Sequence, residues 1–458
     1  ILTFYLLSWL MVIAVGLLYS EFSEVRSIGL IGVGVSFFGL FLYKMNAKHI
    51  DSLQPTDGFL IVVLTWLMIA FVSALPIYII FPDIAWIDAF LESVSGITTT
   101  GVEVLGGLEK WPYCMLWYRQ QLEFVGGVGI IVMSMSLLTF HEGALLSIYH
   151  GEFGKDVRDL RMTPRIRGTA RYVCMIYGGL WLACAIGHLC FGVPLFYALT
   201  ESMATVSTGG FSLSSLYGMY ESMANQLVAI VFMVLGAIGL HTHYIIFFEK
   251  KVGVLFKQTE VRWMLIGGFI LTVLYWFLWV DVPFVTVLFD VAAFITTTGF
   301  ETTIHTSSAL IALSFILLGL LGACAGSTAG GIKIVRFAVL IQEVKLYLLR
   351  MLYPSSIAHV ALDGQVLTES YVNSVRGYIG LFLLTYIVSI LVLVVSGLAL
   401  SDSFYWISST ITNVGATVGE LNVGVLTLFQ KAFLSLVMLI GRVEITAFLV
   451  VCLPKYWR

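Results

Sequence analysis

The sequence predicts an all-α polytopic membrane protein with ten transmembrane spans, in which two extra N-terminal helices precede four pseudo-symmetric repeats. Of the 458 residues, 59% are hydrophobic and 11% are charged, and the mean hydropathy is +0.97. Because a soluble domain carries about 25% charged residues, lipid must be the solvent for most of this surface. A short segment rich in Thr, Ser and Gly also recurs four times along the chain.

The apolar runs that approach the roughly 20 residues needed to cross a bilayer define the ten spans. They fall at residues 1–19, 27–43, 58–81, 112–139, 172–193, 224–248, 263–282, 309–349, 377–400 and 427–452. The first run lacks a cleavage-site pattern and is followed at once by further spans, so we interpret it as a helix and not as a signal peptide. The eighth run is too long for one crossing and contains an interruption.

The distribution of basic residues predicts the orientation. One alternate set of connections holds 19 of the 24 Lys and Arg residues: 44–57, 141–171, 249–262, 333–376 and the C-terminal tail. The other set holds two, Arg26 and Lys110. Since cytoplasmic loops carry the excess of basic residues, we expect the first set and both termini to be cytoplasmic.

Four of the outer connections contain a similar segment. The segments read IDAFLESVSGITTTG, ending at Gly101; FYALTESMATVSTGG, ending at Gly209 and Gly210; VTVLFDVAAFITTTG, ending at Gly299; and FYWISSTITNVG, ending at Gly415. Two spans separate each copy from the next, and repetition of this kind indicates one structural unit used several times.

Each copy begins with an apolar stretch of helical periodicity that is too short to cross the bilayer. Non-helical backbone is tolerated at membrane depth only where protein or water covers it, so four such loops on one side are predicted to meet on a water-filled axis. The negative C-terminal ends of the half-helices favour a cation there, and backbone carbonyls can replace its water shell. The predicted cation-binding residues are Thr100, Gly101, Thr208, Gly209, Thr298, Gly299, Val414 and Gly415.

Other interpretations of these segments are less consistent with the pattern. A single TTTG would be read as a polar extracellular turn, but four copies behind half-length helices favour a pore. Inverted-repeat transporters have halves that enter from opposite faces, whereas these four segments lie on the same predicted side. Sequence signatures of a membrane enzyme, such as HExxH or GxSxG, do not occur, so we do not expect an enzyme.

Several longer motifs carry a resemblance to a known family. They are WYRQQLEFVGGVGII (117–131), MTPRIRGTAR (162–171), GACAGSTAGGIKIVR (322–336), GRVEITAFLVV (441–451) and the terminal LPKYWR. At these residues and at the four segments, the chain resembles the TrkH branch of the Trk/Ktr/HKT family of K⁺ transporters over essentially its whole length. The two extra N-terminal helices are similar to TrkH and unlike KtrB, which has eight spans.

The resemblance implies K⁺ uptake across the bacterial inner membrane through a single-chain pseudo-fourfold pore. Its filter glycines would be Gly101, Gly209, Gly299 and Gly415. Glycine rather than serine at position 101 is associated in the family with K⁺ rather than Na⁺. A Na⁺-permeable pathway or a cation-coupled secondary transporter is the alternative, and the residues leave open whether the flux is passive or coupled to H⁺ or Na⁺.

The predicted organisation has five parts. These are two accessory helices (1–54), pore repeat 1 (55–145), a cytoplasmic linker with pore repeat 2 (146–254), pore repeat 3 with a broken last helix (255–352) and pore repeat 4 (353–458).

The chain departs from the family pattern at two places. The fourth segment reads Asn413-Val-Gly-Ala416-Thr417 where relatives usually have Asn-x-Gly-Pro-Gly, and we keep Gly415 as its filter residue. Glu123 stands where a glutamine is expected, which predicts an extra carboxylate near the pore.

The interruption in the eighth span is rich in glycine. Five glycines lie within residues 319–331, and each costs about 1 kcal/mol relative to alanine in a helix, so the helix should break. Close packing through small residues is the alternative; the resemblance implies an unwound loop that blocks the pore beneath the filter. The GSTAGGIK segment is not a phosphate loop, because its lysine comes one place too late and no Ser or Thr follows it. The predicted gating residues are Gly326, Ser327, Thr328, Gly330, Gly331, Lys333 and Arg442.

Arg442 and Glu444 lie inside the last span, and an intramembrane charge is a functional hypothesis by default. The resemblance places Arg442 just below the filter, where its positive charge would oppose a cation. The alternative is a buried ion pair with Glu444 or Glu123 that only locks two helices together.

The remaining candidates are interpreted as structural. The six cysteines are expected to be packing residues. His241 and His243 point apart on a helix, so local hydrogen bonds are expected rather than a shared metal. No cofactor is expected in this chain. The resemblance implies a homodimer and a separate cytosolic ring of the TrkA type, which would bind NAD or ATP/ADP; no nucleic-acid partner is expected.

Overall fold

The computed structural model describes residues 2–46, 57–140, 166–278, 282–302, 309–355, 359–416 and 423–457. Within these residues the chain is mostly helical. The helices are α1 (Leu2–Leu18), α2 (Phe22–Asn46), α3 (Asp57–Ile80), α4 (Trp86–Ile97), α5 (Tyr113–Phe140), α6 (Ile166–Cys190), α7 (Leu195–Ser207), α8 (Ser214–Tyr217), α9 (Met223–Ala237), α10 (Leu240–Glu249), α11 (Val254–Lys257), α12 (Thr259–Leu278), α13 (Phe284–Ile295), α14 (Ala309–Leu321), α15 (Ile334–Leu352), α16 (Glu369–Val395), α17 (Leu400–Ile411), α18 (Leu428–Val443) and α19 (Ile445–Cys452). Two short strands, β1 (Ala361–Leu362) and β2 (Gln365–Val366), form an antiparallel hairpin.

The first two helices form a hairpin that packs against α3 and α5, and hydrogen bonds also hold its tip. There Glu21 accepts hydrogen bonds from the backbone N–H groups of Tyr113 (2.6 Å) and Cys114 (2.9 Å). These are the first N–H groups of α5, which have no partner inside the helix, and a carboxylate also complements the positive end of the helix dipole. Most of α2 is exposed, and Phe37 has 75% of its surface accessible, as expected for a helix that faces lipid.

Four copies of a span, a short helix and a second span follow, and we call the short helices pore helices after the pore that the sequence predicts. The copies are α3–α4–α5, α6–α7–α9, α12–α13–α14 and α16–α17–α18. The pore helices α4, α7, α13 and α17 contain 12 or 13 residues each, which is too short to cross a bilayer. The predicted half-length helices are therefore present in all four repeats.

The repeats close into a ring. Each first span packs against its own pore helix, and each second span packs against the pore helix of the next repeat: α5 on α7, α9 on α13, α14 on α17, and α18 on α4. The last contact joins the fourth repeat to the first, and Lys431 of α18 donates to Asp88 of α4 at 2.6 Å.

The spans differ from the prediction in their continuity. Five helices in the described part of the chain are long and apolar enough to cross a membrane, or up to seven if each of two bent pairs counts as one span. The predicted sixth span bends by 99° between α9 and α10, and the tenth by 112° between α18 and α19. Both spans lie where the sequence predicts them, and each is divided into two helices. The bends occur where the backbone leaves helical geometry, at Ile238 and at Glu444 (φ 72°).

The interruption predicted in the eighth span is confirmed. Helix α14 ends at Leu321 and α15 begins at Ile334, and residues 322–333 form a non-helical loop. We call this segment the 322–333 loop.

Two of the four predicted domain boundaries fall within the described residues. The boundary after residue 352 coincides with the end of α15, and the boundary after residue 254 falls inside α11. The boundaries after residues 54 and 145 lie outside the described residues. So do residues 155–165 of the basic run, which include the first four residues of MTPRIRGTAR.

Glycines at equivalent positions on three second spans allow the pore helices to pack closely. A methyl group on Gly126, Gly236 or Gly441 would meet the carbonyl oxygen of Ile97, Val206 or Ile411, respectively, at or near the end of the pore helix in the same repeat. Since backbone atoms cannot move aside as a flexible side chain does, only glycine fits here.

We expect Gly126→Ala to destabilise the protein although alanine is the better helix former. Overpacking a well-packed site costs about 1–3 kcal/mol, whereas Gly380→Ala on α16, where nothing lies within 4 Å of the new methyl group, should be neutral or stabilising. Thermal midpoints of the purified variants in detergent measure the difference. Equal midpoints would show that the Ile97 carbonyl does not constrain residue 126.

Candidate functional site

All four pore helices lead into the same succession of backbone conformations. A left-handed non-glycine residue is followed by one intervening residue and then by a left-handed glycine. The first residues are Thr99, Thr208, Thr297 and Asn413, with φ of 50–57°, and the glycines are Gly101, Gly210, Gly299 and Gly415, with φ of 75–99°. Because such a residue costs on the order of 1–3 kcal/mol and persists only where its surroundings fix it, four matching copies indicate a shared functional geometry. We call these segments loops 1 to 4 (98–101, 207–210, 296–299 and 412–415).

The second loop corrects the sequence alignment by one residue. Gly210, and not Gly209, has the conformation of Gly101, Gly299 and Gly415, and Gly209 occupies the position of Thr100. The sequence misled because this loop has two consecutive glycines where loops 1 and 3 have Thr-Gly. The predicted pair Thr208 and Gly209 is therefore equivalent to Thr99 and Thr100 of loop 1, whereas the predicted pair of loop 1 is Thr100 and Gly101.

The loops touch one another in a closed ring. A methyl group on any of the four left-handed glycines would overlap a backbone carbonyl oxygen of a neighbouring loop. The pairs are Gly101 with Gly209, Gly210 with Thr298, Gly299 with Val414, and Gly415 with Thr100. The carbonyl oxygens of Thr100, Gly209, Thr298 and Val414 therefore occupy equivalent places, and we call them the carbonyl ring.

Loop 4 takes full part in this ring despite its different sequence. The side-chain amide of Asn413 donates to Thr100 Oγ1 at 2.9 Å and to the Met438 carbonyl at 3.1 Å. Asn413 thus joins loop 4 to loop 1 and to α18 in place of a threonine. Ala416 is described, whereas Thr417 lies outside the described residues.

Three pore helices carry a buried acid that sequence reasoning missed. Glu92 accepts from the Val104 N–H at 2.8 Å, Glu201 from the Leu213 N–H at 2.9 Å, and Asp290 from the Thr302 N–H at 3.3 Å. Each carboxylate thereby holds the chain that leaves the loop. Aligning the four pore helices would have revealed the pattern, since each acid lies five residues before Ile97, Val206 or Ile295, and Trp406 takes this place before Ile411.

The acid of the first repeat also forms a buried ion pair. Arg119 on α5 donates through Nε to Glu92 Oε1 at 2.6 Å, and both side chains are 1% exposed. Its Nη2 atom lies 3.2 Å from Glu103, which is 48% exposed. Arg119 thus links the pore helix to the chain beyond loop 1.

A cavity of about 1620 Å³ lies on one side of the ring, and we call it the vestibule. Its lining includes Gly101, Gly210, Gly299 and Gly415. Its lining also contains three carboxylates, Glu103, Glu221 and Glu301, and no Lys or Arg among the described lining residues. A cleft lined by charge of one sign concentrates the opposite ion, so the vestibule suits cations.

The 322–333 loop contacts three of the four loops. Thr328 Oγ1 lies 3.1 Å from Thr208 Oγ1 and donates to the Gly236 carbonyl at 3.1 Å. The Gly330 N–H donates to Thr297 Oγ1 at 2.7 Å, and the Gly331 N–H to the Thr412 carbonyl at 3.1 Å. Since Thr208, Thr297 and Thr412 lie where the pore helices end, the 322–333 loop packs beneath the ring.

Other elements hold the first half of the 322–333 loop. Glu260, in the first turn of α12, accepts from the Ala325 N–H at 2.6 Å, and the Leu240 N–H at the start of α10 donates to the Gly326 carbonyl at 3.1 Å. The residue before Glu260, Thr259, donates to Asp363 in the β1–β2 turn.

The remaining predicted gating residues lie in the same loop. Ser327 Oγ donates to the Cys324 carbonyl at 2.6 Å, and Lys333 Nζ donates to the Ala329 carbonyl. Lys333 has a left-handed backbone (φ 80°) immediately before α15. These bonds stabilise the loop from within.

Arg442 reaches the 322–333 loop from α18. Its Nη1 donates to the Thr328 carbonyl at 2.7 Å, and the residue is 4% exposed. Within the described residues, its Nε and Nη2 atoms have no hydrogen-bond partner. The guanidinium therefore brings an incompletely compensated positive charge to the centre of the loop.

The alternative interpretation of Arg442, a buried ion pair with Glu444 or Glu123, does not match the contacts in the structure. Glu444 pairs with Arg336 at 3.4 Å, and Arg336 in turn lies 3.5 Å from the ring centroid of Tyr378. Glu123 accepts instead from the Phe211 N–H at 2.8 Å. The bend at Glu444 explains the difference, because it carries this carboxylate away from the preceding turns of α18.

The other polar candidates form local contacts. His243 Nε2 hydrogen-bonds the Leu235 carbonyl at 2.8 Å. The cysteines are free, three of them buried and three exposed. In the described part of the chain, no group of three or more His, Cys, Asp or Glu residues is placed to hold a metal ion.

Comparison with known proteins places this architecture among cation transporters. The family model TrkH, described as a cation transport protein, matches residues 33–458. The chain is 32% identical over 437 residues to the Trk system potassium uptake protein TrkH of Vibrio parahaemolyticus, covering 92% of this chain and 90% of that protein. It is 31% identical over 419 residues to the Trk system potassium uptake protein TrkG of Escherichia coli, covering 89% and 86%.

The fold agrees with a solved structure as well. The crystal structure of the potassium transporter TrkH from Vibrio parahaemolyticus superposes with a TM-score of 0.91 at 30% identity. The match covers 100% of this chain and 97% of that one.

We expect Glu92→Gln to lower stability far more than Glu103→Gln, although both carboxylates contact Arg119. Removing one partner of a buried ion pair costs about 3–5 kcal/mol, whereas a partly exposed pair contributes about 0–1 kcal/mol. Thermal midpoints in detergent compare the two variants. Similar losses would show that Arg119 does not depend on the buried carboxylate.

Proposed function

The chain belongs to the TrkH family of cation transport proteins, which are not enzymes, and from this we propose that it carries K⁺ into the cell across the bacterial inner membrane. The observation that supports the proposal most directly is the closed carbonyl ring beside an acidic vestibule. Each of its four oxygens lies at the end of a pore helix, whose negative dipole end favours a cation.

The proposed path begins in the vestibule. Glu103, Glu221 and Glu301 attract hydrated cations from solution, because their charges act in a partly enclosed space. At the floor of the vestibule, the carbonyl oxygens of Thr100, Gly209, Thr298 and Val414 replace water molecules around the ion. The left-handed glycines let these oxygens approach the neighbouring loops without a side chain between them.

The 322–333 loop and Arg442 are proposed as the barrier below the ring. The loop fills the space beneath three pore-helix ends through Thr328, Gly330 and Gly331. Arg442 stabilises this position by donating to Thr328 and adds a positive charge that opposes a cation. Opening would require the loop to leave these partners.

We also propose the assembly and orientation that the resemblance implies. Both termini and the basic connections would lie in the cytoplasm, in agreement with the positive-inside rule. The protein would form a homodimer with one pore in each protomer. A cytosolic ring of the TrkA type would regulate it, and NAD or ATP/ADP would bind to that partner rather than to this chain.

We expect the protein to support ⁸⁶Rb⁺ uptake in cells that lack K⁺ transport, with K⁺ competing more strongly than Na⁺ or organic solutes. Gly415→Ala should abolish selective uptake, because its methyl group would displace the Thr100 carbonyl. Gly106→Ala in the vestibule wall, where nothing lies within 4 Å, is the matched control. A wild-type protein that reaches the membrane but carries no Rb⁺ would contradict the proposed function.

We expect Arg442→Ala to raise K⁺ flux, since it removes both the charge and the hydrogen bond to the 322–333 loop. A barrier lower by about 1.4 kcal/mol would raise the flux about tenfold. Arg442→Lys, which keeps the charge, should stay near the wild-type flux. Measurements in proteoliposomes of equal protein content test this, and unchanged or lower flux in well-folded Arg442→Ala would exclude the barrier role.

A further inference from the structure

Three neighbouring side chains of α5 hold a single residue of the second repeat. The Phe211 N–H donates to Glu123 Oε1 at 2.8 Å, and Gln120 Nε2 donates to the Phe211 carbonyl at 3.1 Å. The guanidinium carbon of Arg119 lies 3.7 Å from the centre of the Phe211 ring. All four residues are at most 1% exposed. We call this arrangement the α5 clamp.

The α5 clamp lies directly behind the carbonyl ring. Phe211 follows Gly210, and the Glu123 carboxylate packs so closely on Gly209 that a methyl group added there would overlap it. Glu123 therefore touches the residue that supplies the ring oxygen of loop 2 and hydrogen-bonds the chain two residues later. Movement of this one side chain would be transmitted to both points.

The α5 clamp supports loop 2, and the equivalent positions of α9 and α18 carry no such clamp for loops 3 and 1. Gly126, Gly236 and Gly441 make equivalent contacts, so they align α5 with α9 and α18. The positions of Arg119, Gln120 and Glu123 are then occupied by Ala229, Ile230 and Met233 on α9, and by Leu434, Ser435 and Met438 on α18. Since α9 faces the third pore helix and α18 the first, neither of these surfaces offers the same pair of side-chain hydrogen bonds.

The physical consequence concerns the freedom of the Gly209 carbonyl. A buried backbone N–H must find an acceptor, and here the acceptor is a side chain anchored in a helix. Without it, the chain after Gly210 is free to seek another partner, and the ring oxygen of Gly209 moves with it. A ring whose oxygens can draw inward accommodates the smaller Na⁺ more easily, which reduces discrimination.

We propose that Glu123 is a positioning residue that determines ion specificity: by accepting from Phe211 behind Gly209, it keeps the second ring oxygen at the distance that favours K⁺ over Na⁺. The inference rests on the proposed function, since it requires K⁺ to be the transported ion. It assigns the specificity of loop 2 to a residue of the preceding repeat.

The test compares ⁸⁶Rb⁺ and ²²Na⁺ uptake into proteoliposomes for the wild type, Glu123→Ala, Glu123→Gln and Met233→Ala. Specificity is a difference of affinities, and we expect Glu123→Ala to lower the Rb⁺/Na⁺ ratio about fivefold or more. Glu123→Gln should restore the ratio, because its amide oxygen can accept the same hydrogen bond. Met233→Ala removes a buried side chain at the equivalent place on α9 and should leave the ratio unchanged.

Two results would overturn the inference while leaving the proposed function intact. One is a Glu123→Ala protein that transports Rb⁺ with the wild-type ratio. The other is a Glu123→Gln protein as unselective as Glu123→Ala, since charge and not the hydrogen bond would then be responsible. If Glu123→Ala does not accumulate, Glu123→Met replaces it with the same expectations. A wild type without Rb⁺ uptake would overturn both proposals.

Discussion

The structure depends on the need to cover non-helical backbone at membrane depth. Unpaired backbone groups cannot be left in hydrocarbon, and here four loops meet that requirement by packing against one another. Each left-handed glycine accepts the carbonyl of a neighbouring loop into the space where its side chain would be. The second spans support this arrangement from outside, because each packs on the pore helix of the next repeat. One repeat alone could not bury its loop.

A second non-helical segment, the 322–333 loop, is held by hydrogen-bond acceptors of loops 3 and 4. Backbone N–H groups of the 322–333 loop donate hydrogen bonds to a threonine hydroxyl of loop 3 and to a threonine carbonyl of loop 4. The position of the 322–333 loop is therefore fixed by groups that belong to loops 3 and 4. Glu260 and the β1–β2 turn extend this network to the opposite end of α12 from the vestibule, so elements far from the ring share in holding the loop.

Sequence reasoning recovered the architecture because its signals were repeated. Low charge and apolar runs gave the membrane class, and four similar segments gave the pore helices. The bends at Ile238 and Glu444 could not be predicted, because the sequence stays apolar through both places. The turn of the backbone there depends on contacts with other parts of the fold. Sequence reasoning misplaced loop 2 by one residue, since adjacent glycines look alike in a string of letters. Partners across repeats, such as Arg336 for Glu444, depend on how helices are placed in space.

Because Gly415 lies against the Thr100 carbonyl, a substitution in one loop changes the structure of another. A substitution in loop 4 would leave its own carbonyl in place and displace that of loop 1, at the other end of the chain. The substituted residue and the displaced carbonyl then belong to different repeats. Each of the four glycines thus serves two loops, its own through its left-handed backbone and a neighbouring loop through the space that its missing side chain leaves.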